Sequence, residues 1–269
     1  RDLTQVFDVH GEVHAVDLPE VDITDAAALK RLCDAFGPEL LVNAAAYTDV
    51  RGAESDLKSA FLVNEAGARN VAEVGEYFGA AVVYFGTDYV FDGQKRTPYV
   101  PHDTPAPLGV YGQSKLAGEY RTMEANPRHF IVRTAWLYGP GGENFPEKIL
   151  RAAQQRDQLE VVDDETGSPT HTWDLAEAAL ALARTDAYGV YHAVNAGQCT
   201  RYELARQVLC SAGIATPVVP GKTDPVKAGV ARPAYSVLDT TSLTEACGYA
   251  PRTWQDALEH YLTRREQTT

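Results

Sequence analysis

Residues 82–93 read VVYFGTDYVFDG. Val82, Val83, Tyr84 and Phe85 are bulky residues suited to a strand buried on both faces, the environment of a parallel sheet. A glycine, a hydroxyl and a carboxylate then follow at once, as Gly86, Thr87 and Asp88. A core strand that delivers two polar side chains where it emerges has two readings. Thr87-Asp88 either opens a turn, or it stands at the carboxyl end of a strand, where an open α/β sheet binds its ligands.

On both sides of this stretch, apolar strand-like runs alternate with amphipathic helical ones. Residues 12–17 and 40–46 (LLVNAAA) are expected as strands. Residues 25–36 are expected as a helix with Leu29, Leu32, Cys33 and Phe36 on one side. A long helical pattern over 56–78 stops at Gly79, another helix is expected over 108–125, and FIVRTAWLY at 130–138 reads as a further strand. Such alternation implies an α/β fold: a doubly wound parallel sheet of Rossmann type with helices on both faces. Beyond Gly139, Pro146, Pro169, Pro217, Pro220, Pro225 and Pro233 interrupt shorter elements, while 173–184, 202–212 and 254–264 keep a helical pattern. The expected organisation is a nucleotide-cofactor-binding domain over 1–140 and 171–215. A smaller, discontinuous substrate-binding lobe is expected over 141–170 and 216–269.

The 269 residues carry a formal net charge of −13, which argues against nucleic acid and anionic membranes as partners, since both need a basic face. An anionic ligand would have to meet a local basic cluster. Cys33, Cys199, Cys210 and Cys247 show no metal-ligand or redox spacing, so they read as reduced thiols of a cytoplasmic protein, with no metal site expected. No apolar run approaches the length of a membrane span. Leu3, Val6 and Phe7 have helical i, i+3, i+4 spacing ahead of Gly11, so the chain is expected to enter part-way into a helix, with further residues before Arg1.

In a doubly wound sheet the strand ends form one groove, and four polar features fall at such ends: Asp17, the run Asn43–Tyr47, Thr87-Asp88, and Trp136. Asp17 would accept hydrogen bonds from an adenine ribose, or it is a turn aspartate. The small side chains of Ala44, Ala45 and Ala46 would admit a flat cofactor close to the backbone, or they serve tight helix–sheet packing. In YGQSK, Tyr111 and Lys115 lie four residues apart, on one helix face. A neighbouring ammonium would pull the tyrosine pKa down towards a useful acid–base range. In a chain with 14 tyrosines this pair alone is weak. Thr87 at a strand end, and Asn64 within a helix where an amide is not favoured, give it context.

With these residues in place the chain resembles an extended short-chain dehydrogenase/reductase, and specifically the dTDP-4-dehydrorhamnose reductase family. The resemblance runs through VDITD, VNAAAYTDV, VNEAGARNVA, GTDYVFDG, PLGVYGQSKLAGE, VRTAWLYG, GSPT and ARPAYSVLD, in that order. It implies NADH or NADPH as cofactor and a nucleotide-diphosphate sugar as substrate, with a homodimer as a possible assembly. It also implies that Tyr111 protonates the sugar 4-oxygen, that Lys115 holds the nicotinamide ribose, and that Thr87 hydrogen-bonds the carbonyl. Asp88, Val90 and Trp136 would contact the hexose, and Arg232 would neutralise the diphosphate or else be a plain surface arginine. Asp17, Asp22, Ile23, Ala44, Ala45, Ala46, Tyr47 and Asn64 would line the cofactor.

The family begins with a strand and a G-x-x-G-x-x-G loop that cradles the pyrophosphate. No such run follows a strand here, and GPGGENF at 139–145 comes too late, so this unit is expected before Arg1. Two other functions stay open at this level: an epimerase or dehydratase of the same superfamily, and a non-catalytic regulatory subunit with this fold.

Overall fold

The structure, a computed structural model, describes residues 1–224 and 229–266; Pro225 falls outside them. Four parallel strands form the main sheet: β1 (Leu40–Asn43), β2 (Ala81–Thr87), β3 (His129–Thr134) and β8 (Gly189–His192), in the order β1-β2-β3-β8. Side-chain alternation buries both faces, as the apolar runs require. Val82 and Tyr84 of β2 and Ile131 of β3 meet the helices on one face, while Val83, Phe130 and Val132 meet those on the other.

One face is covered by α2 (Ala26–Phe36), α5 (Ala68–Phe78) and α6 (Val110–Ala125). The other carries α8 (Thr172–Ala183), against which α1 (Asp2–Asp8) packs, and α10 (Thr241–Cys247). Local chemistry sets the helix ends. The Asp25 carboxylate accepts from the Ala27 and Ala28 amides to start α2, and Gly37 ends it at φ 68°.

A second apolar cluster gathers Tyr138, Ile149, Leu150, Leu159, Leu204, Val208, Trp254 and Leu258. It lies between α7 (Phe145–Ala153), α9 (Arg201–Ser211), α11 (Trp254–Glu266) and the parallel pair β5 (Leu159–Val162) and β10 (Val218–Gly221). Four further two-residue strands join this region to the sheet side: β4 (Leu137–Tyr138) pairs with β7 (Thr170–His171), and β6 (Thr166–Gly167) pairs with β9 (Cys199–Thr200). Thus α9 packs on the second cluster and α10 on the main sheet.

Three local expectations differ from the structure. Residues 12–17 form no strand. Among the described residues β1 is hydrogen-bonded only to β2, and 12–17 run along the surface, with only Val13 and Val16 half-buried and no ladder to join. Apolar alternation makes a strand only where backbone groups find partners. The run 130–138 is not continuous either. The backbone breaks after β3 at Trp136, whose φ of 47° is the one positive value outside glycine among the described residues. The third difference is in the long helix over 56–78. It comprises α4 (Leu57–Phe61), a π-helical turn (Leu62–Gly67) and α5, and such a turn is a frequent mark of a functional region.

The π turn pushes the Asn64 carbonyl against α6, and the room for it comes from Gly118. A Cβ on Gly118 would stand 2.0 Å from Asn64 O and 2.5 Å from the Tyr84 hydroxyl. Gly118→Ala is therefore expected to lower unfolding stability in urea by at least about 1–3 kcal/mol, the range for overpacking a filled core. Gly142→Ala, where an added Cβ meets nothing within 4 Å, should leave the unfolding midpoint in place.

Candidate active site

Beyond the carboxyl ends of β1, β2 and β3 opens a groove of about 390 Å³. Its walls include Asn43, Ala44, Ala45, Ala46, Gly86, Tyr111, Lys115 and Thr134, with Arg1, Asp2 and Leu3 at the start of α1. The small side chains leave backbone open to a flat ligand. Asn43 Nδ2 is buried without a hydrogen-bond partner, while Asn43 Oδ1 accepts from the Ala45 amide at 3.1 Å. An orphaned donor, a cationic Lys115 and a wall of alanines fit a dinucleotide cofactor with its ribose hydroxyls and phosphates. Among the described residues no group of three or more His, Cys, Asp or Glu is placed to hold a metal ion.

Tyr111 and Lys115 stand one turn apart on α6. Lys115 is 4% exposed, and its Nζ lies 4.2 Å from the centre of the Tyr84 ring, a cation–π contact. Burial pulls its pKa down to about 8, with the Glu119 carboxylate opposing. Burial also holds the Tyr111 phenol well above its ordinary range; a hydrogen bond with Thr87 acts the other way, and Asp88 adds to the rise. This corrects the expectation that Lys115 draws the phenol pKa down. Desolvation of the phenolate outweighs any pull from the ammonium, so the phenol keeps its proton.

Thr87 and Asp88, 5% and 2% exposed, open a turn at the carboxyl end of β2. Thr87 Oγ1 accepts from the Tyr89 amide at 3.2 Å, capping a 3-10 turn over Asp88–Val90. The same hydroxyl donates to Asp88 Oδ1 at 3.2 Å and faces Tyr111. Burial raises the Asp88 pKa to about 6, partly countered by Ser236 and then by the positive charge of Arg201. Asp88 Oδ2 has no partner.

Sequence reading missed Arg201. Its guanidinium lies 3.5 Å over the Trp136 ring, a geometry worth about 0.5–2 kcal/mol. Its Nε stands 3.8 Å from Glu165 Oε2, and Arg232 Nη1 reaches the same oxygen at 3.9 Å. Trp136 is fixed from the other side by Gly167, where a Cβ would come within 2.5 Å of the indole. A bulky residue at positive φ costs about 1–3 kcal/mol and persists only where its surroundings hold it. The signal available in the sequence was Arg201 at the first helical position after the Thr200 cap, which says nothing of a contact 65 positions away.

The structure places the remaining expected residues less directly. Asn64 spends its amide as a staple. Oδ1 accepts from Tyr47 N at 2.8 Å, and Nδ2 donates to Tyr47 O at 3.1 Å and to Ser114 Oγ at 2.9 Å. It thereby ties the loop after β1 to α6. Asp17 lies on an exposed turn with Oδ1 accepting from Leu18 N at 2.8 Å. Asp22 Oδ1 accepts from the Thr24 amide and hydroxyl, and Ile23 packs against Gly67. The Val90 side chain is fully buried with Phe91, Tyr99 and Leu238, away from the groove.

Residues 1–267 match the family model described as "RmlD substrate binding domain". A dTDP-4-keto-6-deoxy-D-glucose reductase of Streptomyces niveus is 41% identical over 263 residues, covering 96% of this chain and 91% of its own. A dTDP-4-dehydrorhamnose reductase of Streptomyces griseus is 41% identical over 267 residues, with 96% and 88% covered. The crystal structure of dTDP-4-dehydrorhamnose reductase from Bacillus anthracis in complex with NADP superposes with a TM-score of 0.92 at 34% identity, over 97% of this chain and 95% of that one. With a helix-borne Tyr111 and Lys115, a strand-end Thr87 and this likeness along nearly its whole length, the chain belongs to the dTDP-4-dehydrorhamnose reductase family.

Proposed function

We propose that this protein reduces the 4-keto group of a dTDP-linked 6-deoxyhexose with NADH or NADPH. The observation that carries the reading is the pairing of Tyr111 and Lys115 on α6 in the wall of one groove, with Thr87 at the end of β2 in hydrogen-bond contact with Tyr111. The bound nicotinamide supplies a hydride to the carbonyl carbon. Tyr111 gives its phenolic proton to the 4-oxygen, so carbonyl, hydride and proton together make one secondary alcohol. The raised phenol pKa keeps that proton in place until charge develops on the oxygen. The Thr87 hydroxyl, rotating its one proton away from Asp88 Oδ1, steadies the oxygen by a hydrogen bond. Lys115 holds the cofactor ribose and offers positive charge to the tyrosinate left after transfer.

Asp88, with its unpartnered Oδ2, accepts from a hexose hydroxyl, and the Trp136 plate packs on the ring. Arg232 and Arg201, sharing Glu165, supply the local basic cluster that a diphosphate needs on a chain of net charge −13. The sheet side, residues 1–140 and most of 171–215, takes the cofactor. The lobe around α7, α9 and β5–β10 takes the nucleotide end of the sugar. A nucleotide-diphosphate sugar as substrate, with no nucleic-acid or membrane partner, a cytoplasmic setting and a homodimer agree with this reading. No helix of the described residues is long and apolar enough to cross a membrane.

Tyr111→Phe should lower kcat with a dTDP-4-keto-6-deoxy sugar by about 10²–10⁴-fold, the range for losing a positioned proton donor, while NADPH affinity by fluorescence titration changes little. Retention of most turnover in that variant would refute the assignment. Steady oxidation of NAD(P)H should accompany the reaction in the unaltered protein; a sugar converted with no net cofactor consumption would mark an epimerase or dehydratase instead. Arg201→Met should raise KM for the sugar nucleotide by about 3–30-fold through loss of the stacked cation. Its kcat should stay close to that of the unaltered protein.

A further inference from the structure

The stripe of α6 that carries Tyr111 and Lys115 does not end there. One turn further along stands Glu119, whose side chain is wholly buried. Its carboxylate accepts from Arg133 of β3 three times: Nε at 3.1 Å and 3.0 Å, and Nη2 at 2.7 Å. Arg133 Nη1 donates onward to the Pro101 carbonyl at 3.1 Å. The carboxylate reaches this place because β2 has Gly86 there, where a Cβ would stand 2.5 Å from Glu119 Oε1. Buried ion pairs are weak contributors to stability, and an apolar pair of equal volume is often as good or better. A charge pair set into the core one helical turn from a catalytic lysine calls for another account.

We propose that Glu119, held in place by Arg133, is a positioning residue that keeps Lys115 protonated in its buried setting without binding it directly. Arg133 occupies both carboxylate oxygens, so Glu119 acts on Lys115 through its field and leaves the ammonium free to face the groove. The groups around Lys115 leave Glu119 as the counter-charge. Tyr111 on α6 and Tyr84 on β2 are phenols that burial keeps neutral. Asn64 on the π turn is an amide, Arg133 on β3 lies behind Glu119, and Asp88 lies at the far end of β2 beside Tyr111. The direction of the Lys115 shift agrees: burial lowers its pKa and Glu119 alone is the opposing influence.

This inference rests on the proposed reductase reading only for its kinetic consequence, and the decisive measurement does not use turnover. In protein carrying ¹³Cε-lysine, the Lys115 resonance is identified by its loss in Lys115→Arg and followed against pH. Glu119→Gln should lower the Lys115 midpoint by about one pH unit or more, the effect of removing an opposite charge at this range, and Glu119→Asp should restore part of it. If Glu119→Gln fails to fold, the Glu119→Gln/Arg133→Met double variant removes both charges together and leaves none unpaired in the core. Its midpoint should fall in the same direction. The alkaline limb of kcat/KM should move to lower pH with the midpoint, because activity is lost as Lys115 gives up its proton. A folded variant whose Lys115 midpoint is unchanged overturns the proposal and leaves the pair a structural one. Absence of keto-sugar reduction in the unaltered protein would instead overturn the reductase reading, with the lysine titration still readable.

Discussion

The close seating of α6 on β2 and on the π turn is the contact on which the rest of the site depends. Three glycines make it possible. At Gly112 an added Cβ would meet the Tyr89 carbonyl at 2.3 Å, at Gly118 it would meet the Asn64 carbonyl at 2.0 Å, and at Gly86 it would meet Glu119 at 2.5 Å. Glycine inside a helix costs about 1 kcal/mol relative to alanine, and α6 carries two on its buried face. The gain is proximity: the Tyr84 hydroxyl donates to the Lys115 carbonyl at 3.0 Å, and the Tyr84 ring lies under the Lys115 ammonium. A helix held further out by side chains would lift Tyr111 away from Thr87.

Once α6 is seated, its polar contacts form a connected chain. Ser114 Oγ donates to the Tyr111 carbonyl at 2.9 Å and accepts from Asn64, and Asn64 clamps both backbone groups of Tyr47. The loop that presents Ala44–Ala46 is thereby registered against the helix that presents Tyr111 and Lys115. This is preorganisation by buried hydrogen bonds, each satisfied at both ends. On the other wall, Gly167 and Arg201 hold Trp136 in a backbone conformation a tryptophan does not choose by itself. The two walls are built by different means, hydrogen bonds around Ala44–Ala46 and stacking around Trp136.

Electrostatics divides the same site into two moods. Burial raises the pKa of Tyr111 and Asp88 and lowers that of Lys115, so desolvation pushes each of these groups towards neutrality. Opposing charges act on two of them: Glu119, one helical turn beyond Lys115, and Arg201 on Asp88. Burial of these side chains strengthens each of these fields.

The amino-acid sequence by itself determined the fold class and made Tyr111, Lys115 and Thr87 the candidates for the chemical centre. Strand and helix periodicity is local, so β2, β3, α2, α6 and α11 are legible from their own residues, as is the spacing of Tyr111 and Lys115 on one helix face. The tertiary structure alone decided what depends on partners. Residues 12–17 have the pattern of a strand and no ladder to join, and Asn64 looked like a misplaced helix amide until Tyr47 and Ser114 came to either side of it. Arg201 acquires meaning only when α9 is packed beside Trp136. The phenol of Tyr111 shows the same division in its chemistry. Sequence supplies the neighbouring lysine, but the sign of the pKa shift is set by how completely the fold removes water, which no spacing along the chain encodes.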